Sequence, residues 1–172
     1  MLTLSLLRHG QSSWDDPDLN DHERPLSKHG RNAAEIISDY IAEHGLVPDH
    51  ILCSTAVRAR ETLDVLLTRL GLLQPEIALE PALYLATPTA LIGIIRETAR
   101  SVRHLMIIGH NPGLHALALD LTGSGLRRDI TSMAVKFPSG ALAVLTFEEN
   151  DWTEIRPAAG RLVQFVATRS VA

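Results

Sequence analysis

The sequence predicts an α/β protein: a single three-layer α/β/α sandwich on a mostly parallel central sheet with an antiparallel edge. Three observations carry that expectation. Short apolar runs without helical spacing, such as residues 2–7 and 104–108, alternate with longer segments whose apolar residues recur at helical spacing. Proline and glycine fall singly between these segments, with no repeat, low-complexity block or linker. The length of 172 residues fits one domain, so residues 1–172 are read as one unit.

Each element has its own signal. Residues 2–7 form an apolar run of the kind found in strands covered on both faces. Ser27 stands as N-cap to a helix over 28–44, where Ala33, Ile36, Ile37, Tyr40 and Ile41 share a face, and Gly45 follows as a stop. A second buried strand at 51–53 leads into a helix over 54–70 marked by Val57, Leu63, Leu66, Leu67 and Leu70. A third strand covers 77–79, and Thr87 with Pro88 opens a helix over 88–99. The strand at 104–108 runs through Gly109-His110-Asn111-Pro112-Gly113 into an apolar helix over 114–121. Residues 133–137 and 141–147 are strand-like and joined by Pro138-Ser139-Gly140, which predicts the antiparallel hairpin. Residues 154–157 and 161–167 offer further strand material.

Composition excludes several functions. A formal charge of -4 and an aromatic content of 4% argue against nucleic-acid binding, which leans on a basic face and stacking platforms. No run approaches the ~18–20 apolar residues of a membrane span. The N-terminus lacks a basic region before its apolar run, so the expected location is cytoplasmic. The lone Cys53 leaves no disulfide framework and no thiolate metal site. Eight histidines raise zinc as a rival, but no pair has the i, i+4 spacing with an intervening Glu, and no cofactor is expected. Dimerisation has no sequence support.

In open α/β sheets ligands bind beyond the carboxyl ends of strands, where the strand order switches. That rule selects His9 and His110, each just past a predicted strand, and brings Arg8 with them. Arg58, near the first turn of the helix expected from Ser54, points back to the same rim, with Thr62 one turn on. The helix starts at Ser54 and at Asn111-Pro112 add unpaired N–H groups. Guanidinium forks and helix starts both favour an anion, and a phosphoryl group is the natural occupant. Each feature also has a plainer reading: an Arg-His pair at a strand end, a turn into a helix, a solvated face of Arg58, Arg60 and Glu61. The other six histidines, His22, His29, His44, His50, His104 and His115, read as surface or packing residues.

Four motifs in order carry a resemblance: Leu7-Arg8-His9-Gly10, Leu26-Ser27-Lys28-His29-Gly30-Arg31, the stretch from Ser54 to Thr62, and Gly109-His110-Asn111-Pro112-Gly113. Together they resemble the histidine phosphatase superfamily, of phosphoglycerate mutase-like fold. Within it the chain is similar to the small phosphohistidine phosphatases of the SixA type, which lack a cap domain. The resemblance implies that His9 is the nucleophile that becomes transiently phosphorylated. Arg8, Arg58 and His110 would complete a phosphate pocket that works without metal. It further implies a phosphorylated protein as substrate, such as a His-phosphorylated phosphotransfer domain, or a small phosphorylated metabolite.

One departure bears on the substrate. Larger members place a Glu acid after the third strand, where this chain reads Glu80-Pro81-Ala82-Leu83-Tyr84-Leu85, with Leu85 at the aligned position. Glu80 is the nearby candidate, though it reads first as an exposed residue before a turn. A missing acid favours phosphohistidine, whose imidazole leaves as a neutral heterocycle, over monoesters with poor alkoxide leaving groups. The alternatives are a small-molecule phosphomonoesterase, a phosphoglycerate-mutase-like phosphotransferase, or a non-enzymatic phosphate-binding interaction module.

Overall fold

A computed structural model describes residues 1–171. Its centre is a seven-stranded sheet made of β1 (Leu2–Arg8), β2 (His50–Cys53), β3 (Glu76–Leu79), β4 (His104–Gly109), β5 (Thr122–Gly125), β6 (Leu142–Phe147) and β7 (Gly160–Val166), in the order β3-β2-β4-β1-β6-β7-β5. The helices are α1 (Lys28–Glu43), α2 (Val57–Leu70), α3 (Pro88–Arg96), α4 (Gly113–Leu121), α5 (Arg127–Val135) and the short α6 (Thr168–Val171). The chain is thus the expected α/β sandwich. Within the sheet, antiparallel pairing is confined to β6, which runs against β1 and β7.

Three expectations need correction. Residues 133–137 are not a strand: Met133 to Val135 finish α5, and Met133 is the buried anchor of that helix. The predicted hairpin therefore does not exist, and β6 takes its antiparallel partners from elsewhere in the sheet. The predicted helix over 88–99 ends at Arg96, where Glu97 caps it. Residues 154–157 form no strand either; Trp152–Glu154 is a 3-10 turn that buries Trp152.

The apolar runs read as two-faced strands because they are. Leu2, Leu4 and Leu6 of β1, with Leu105 and Ile107 of β4, pack against Leu91 and Ile95 of α3 and Leu114, Leu117 and Leu121 of α4. Leu7, Met106 and Ile108 point the other way, onto Ile37 and Ile41 of α1 and Leu63, Leu66 and Leu70 of α2. Alternate residues of one strand thus serve opposite layers, as strand geometry requires. A consequence for the site is that α1, which follows β1, and α4, which follows β4, cover opposite faces. β1 and β4 are parallel neighbours with Arg8 opposite Gly109, so the chain diverges at their carboxyl ends and leaves a crevice there.

Among the described residues no helix is long and apolar enough to cross a membrane. Cys53 is fully buried in the α1/α2 layer, and burial pushes its thiol up to about 12, which makes it an unreactive packing residue.

Candidate active site

The β1/β4 register places the two histidines side by side. His9 N–H bonds the Gly109 carbonyl at 3.2 Å, and the His9 and His110 rings lie 4.8 Å apart between centroids. Both are nearly closed to solvent, 7% exposed for His9 and 5% for His110.

The His9 ring is oriented from both ends. Its Nδ1 lies 2.6 Å from the Gly10 carbonyl oxygen, which can only accept, so Nδ1 carries the proton. Nε2 is left with a lone pair, and Arg58 Nε–H donates to it at 3.3 Å. Burial is the main cause that lowers the His9 pKa to about 4, and the Arg58 and Arg8 charges add to it against the Gly10 bond. His9 is therefore neutral at pH 7.

Each partner is held in turn. Gly10 N–H donates to Thr62 Oγ1 at 3.2 Å, and the Thr62 hydroxyl donates to the Arg58 carbonyl at 2.8 Å, which ties the β1 exit to α2. Gly10 also lies against the backbone of Gly30, where an added Cβ would run into the Gly30 carbonyl. The close approach explains why the turn and the start of α1 meet through two glycines.

Arg58, 5% exposed, stands in the first turn of α2, which starts at Val57 rather than at Ser54. Its Nη1 donates to the Asp21 carbonyl at 2.6 Å and its Nη2 to Asp21 Oδ2 at 2.9 Å. Asp21 opens a 3-10 turn at Asp21–Glu23, and its carboxylate also accepts from the Tyr84 hydroxyl and from Arg24 Nη1, the latter at 3.3 Å. These donors, the Tyr84 hydroxyl first, hold the Asp21 pKa down to about 2. Tyr84 also stands edge-on to His110, with ring centroids 5.3 Å apart.

His110 Nε2 lies 2.7 Å from Ser54 Oγ. Burial first, then His9 and Arg58, lowers the His110 pKa to about 3. Arg8 Nη1 donates to the Phe137 carbonyl at 3.0 Å, and Asn111 Nδ2 donates to the same oxygen at 2.9 Å. Burial and the nearby Arg58 lower the Arg8 pKa.

Buried polar groups nearly always have partners, so the exceptions are informative. Six buried side-chain N or O atoms lack one among the described residues, and three are here: Arg8 Nε, His110 Nδ1 and Asn111 Oδ1. Two guanidiniums and two neutral imidazoles thus converge with donor capacity to spare, an arrangement that can accept an anion. Described residues hold no cluster of three or more His, Cys, Asp or Glu fit for a metal ion.

All four residues singled out from the sequence, Arg8, His9, Arg58 and His110, come together, and Thr62 supports them. Glu80 does not join them: its carboxylate caps Ala82 N–H at 2.9 Å, beside a cavity lined by His50 and Glu97. Leu85 is exposed, with φ at 53°. Sequence reasoning missed Asp21 and Tyr84, and it took Ser54 for a helix start although its hydroxyl serves His110. His22, read as a surface or packing residue, packs: its ring bonds Thr55 Oγ1 at 2.9 Å and stands edge-on to Tyr84 at 4.9 Å.

The model of the Histidine phosphatase superfamily (branch 1) matches residues 4–84. An uncharacterized protein of Mycobacterium leprae (strain TN) is 34% identical over 167 residues, spanning 95% of this chain and 100% of its own. A crystal structure described as "putative phosphohistidine phosphatase SixA from Agrobacterium tumefaciens" superposes with a TM-score of 0.81 at 29% identity, covering 96% of this chain and 97% of that one. The protein histidine phosphatase SixA complexed with tungstate shares the fold, with a TM-score of 0.78 at 18% identity over 99% and 100% of the two chains. From the family match, these relatives and the shared fold, the chain belongs to the histidine phosphatase superfamily and is a phosphatase of that family.

Proposed function

We propose that the protein hydrolyses phosphohistidine in a phosphorylated protein, through a phosphoryl group carried transiently on His9. The observation that carries this reading is the fixed tautomer of His9: the proton sits on Nδ1 against the Gly10 carbonyl, and the Nε2 lone pair faces the cationic pocket.

In the first step the Nε2 lone pair attacks phosphorus and forms an N–P bond, while the bond from phosphorus to the leaving group breaks. The departing imidazole of the substrate takes a proton from solvent water on its free ring nitrogen and so leaves neutral. Phosphoryl transfer has a loose transition state with charge on the equatorial oxygens, so positioned donors supply most of the catalysis. Arg8 and Arg58 provide guanidinium N–H groups. His110 adds a neutral imidazole whose Nε2 pairs with the Ser54 hydroxyl and whose Nδ1 has no partner. Arg58 Nε releases His9 as the phosphoryl group enters. In the second step water attacks phosphorus, the N–P bond breaks and inorganic phosphate leaves with His9 neutral again.

Substrate class follows from the acid that is not there. Glu80 is turned away, and Asp21, with a pKa of about 2, is ionised at pH 7 and cannot donate a proton. Alkoxide leaving groups lose the ~10²–10⁴-fold gain of general acid catalysis, whereas imidazole leaves unaided. The test compares kcat/KM for a phosphohistidine peptide with that for sugar phosphates. Preference for the peptide is expected; preference for the sugars refutes the substrate assignment.

A further inference from the structure

A cavity of about 260 Å³ adjoins the site and plays no part in the reaction described above. Gln11, two residues beyond His9, lines it together with Pro138 and Ser139. The Gly140 N–H bonds the carbonyls of Arg8 and His9 at 3.0 and 3.1 Å, and Phe137 supplies the carbonyl that orients Arg8. The segments that border the cavity are thus tied by backbone and side-chain hydrogen bonds to Arg8 and His9.

Its charge departs from that of the molecule. Two exposed cationic side chains line it, Lys136 just after α5 and Arg169 in α6, with His29 of the first turn of α1 beside them. No carboxylate is among its lining residues, although the chain as a whole carries -4. An acidic partner is repelled by most of this surface and attracted at the cavity, so the field selects one landing place and one orientation. Gln11 and Ser139 add uncharged hydrogen-bonding groups.

We propose that this cavity is a recognition site for carboxylate side chains flanking the phosphohistidine of the substrate protein. The inference rests on the phosphohistidine reading given above and extends it from the reacting group to its surroundings. Docked carboxylates hold the substrate beside His9 without touching the reacting atoms, so the site acts on KM rather than on kcat.

Two phosphohistidine peptides test it, one with Asp and Glu flanks and one with Asn and Gln in their places, against the wild type and the double variant K136E/R169E. Both substituted residues are exposed, so the fold tolerates the change. The wild type should prefer the acidic peptide by about fivefold in kcat/KM, as expected for a few solvent-exposed ion pairs, with the difference in KM and weakened by salt. The double variant should lose or invert that preference while hydrolysing the neutral peptide within twofold of wild type. Equal rates on both peptides by the wild type, or an equal loss on both in the variant, overturns the site and leaves the phosphohistidine reading standing. Failure of the wild type to hydrolyse either peptide while it hydrolyses a small phosphate ester overturns both.

Discussion

Arg58 has five N–H donors, and in the resting site it spends two of them on Asp21 and one on His9, which makes Asp21 the residue that aims it. Asp21→Asn keeps the shape and removes the charge. Loss of a charge-assisted hydrogen bond of ~1.5–3 kcal/mol predicts a fall in kcat/KM of roughly tenfold or more, measured by steady-state kinetics. Removal of Arg58 itself should cost about 10²–10³-fold, and Arg58→Lys should not rescue it, because an ammonium cannot reproduce the planar fork. The His9 titration sets the acid limb: kcat/KM of the free enzyme should stay level from neutral pH downward and fall as Nε2 protonates near pH 4. An inflection near 6.5 instead would mean an exposed imidazole. At this scale the sequence displayed the four central residues because each lies at a strand or helix end, where the chain rule for open sheets points. Asp21 and Tyr84 were illegible because their positions depend on how two irregular segments fold over the pocket, and no periodicity encodes that.

The elements that frame the pocket are held by close backbone approaches as much as by side chains. At Gly30 an added Cβ would run into the Gln11 carbonyl, so Gly30→Ala should push α1 away from the turn that carries His9. A lower melting temperature together with reduced kcat is expected, since both helix docking and nucleophile placement suffer. Ile107→Ala in β4 is the contrasting case: a fully buried residue one layer below the site, for which cavity formation predicts about 2–5 kcal/mol lost in denaturant unfolding. The strands with strong apolar runs, β1 and β4, were readable because two-sided burial leaves no polar face. β5 was not, because Thr122–Gly125 is TGSG, an edge strand joined to β7 by backbone pairing alone, with no apolar pattern to see. The run at 133–137 misled for a related reason: only Met133 is buried within α5, so its helical stripe is one residue wide, and the apolar Phe137 that follows completes a false strand.

For the whole molecule, the fold concentrates positive charge where the sequence total suggests none. Arg8 and Arg58 repel each other in a desolvated crevice, which stabilises any anion that enters and destabilises the empty site. Inorganic phosphate should therefore raise the melting temperature, by about 2.7 kcal/mol of stabilisation at a hundred times its Kd, and the Arg58→Ala variant should lose most of that gain. Stability should also depend on pH in a definite sense. The folded His9 and His110 have pKa values of about 4 and 3, below the ordinary 6.5, so the unfolded chain binds their protons first. Their contribution is intact above pH 6.5 and declines as pH falls from there toward 4, which equilibrium unfolding at a series of pH values would reveal. The central claim is that catalysis passes through phosphorylated His9. Rapid acid-free quenching of the enzyme with substrate, followed by mass spectrometry of the peptide containing residues 8–10, measures it directly. The account predicts an acid-labile, base-stable phosphoryl group on His9 that forms and decays within one turnover and is absent, with activity, in His9→Ala. Undiminished turnover in His9→Ala, or a phosphoryl group on any other residue, would contradict it.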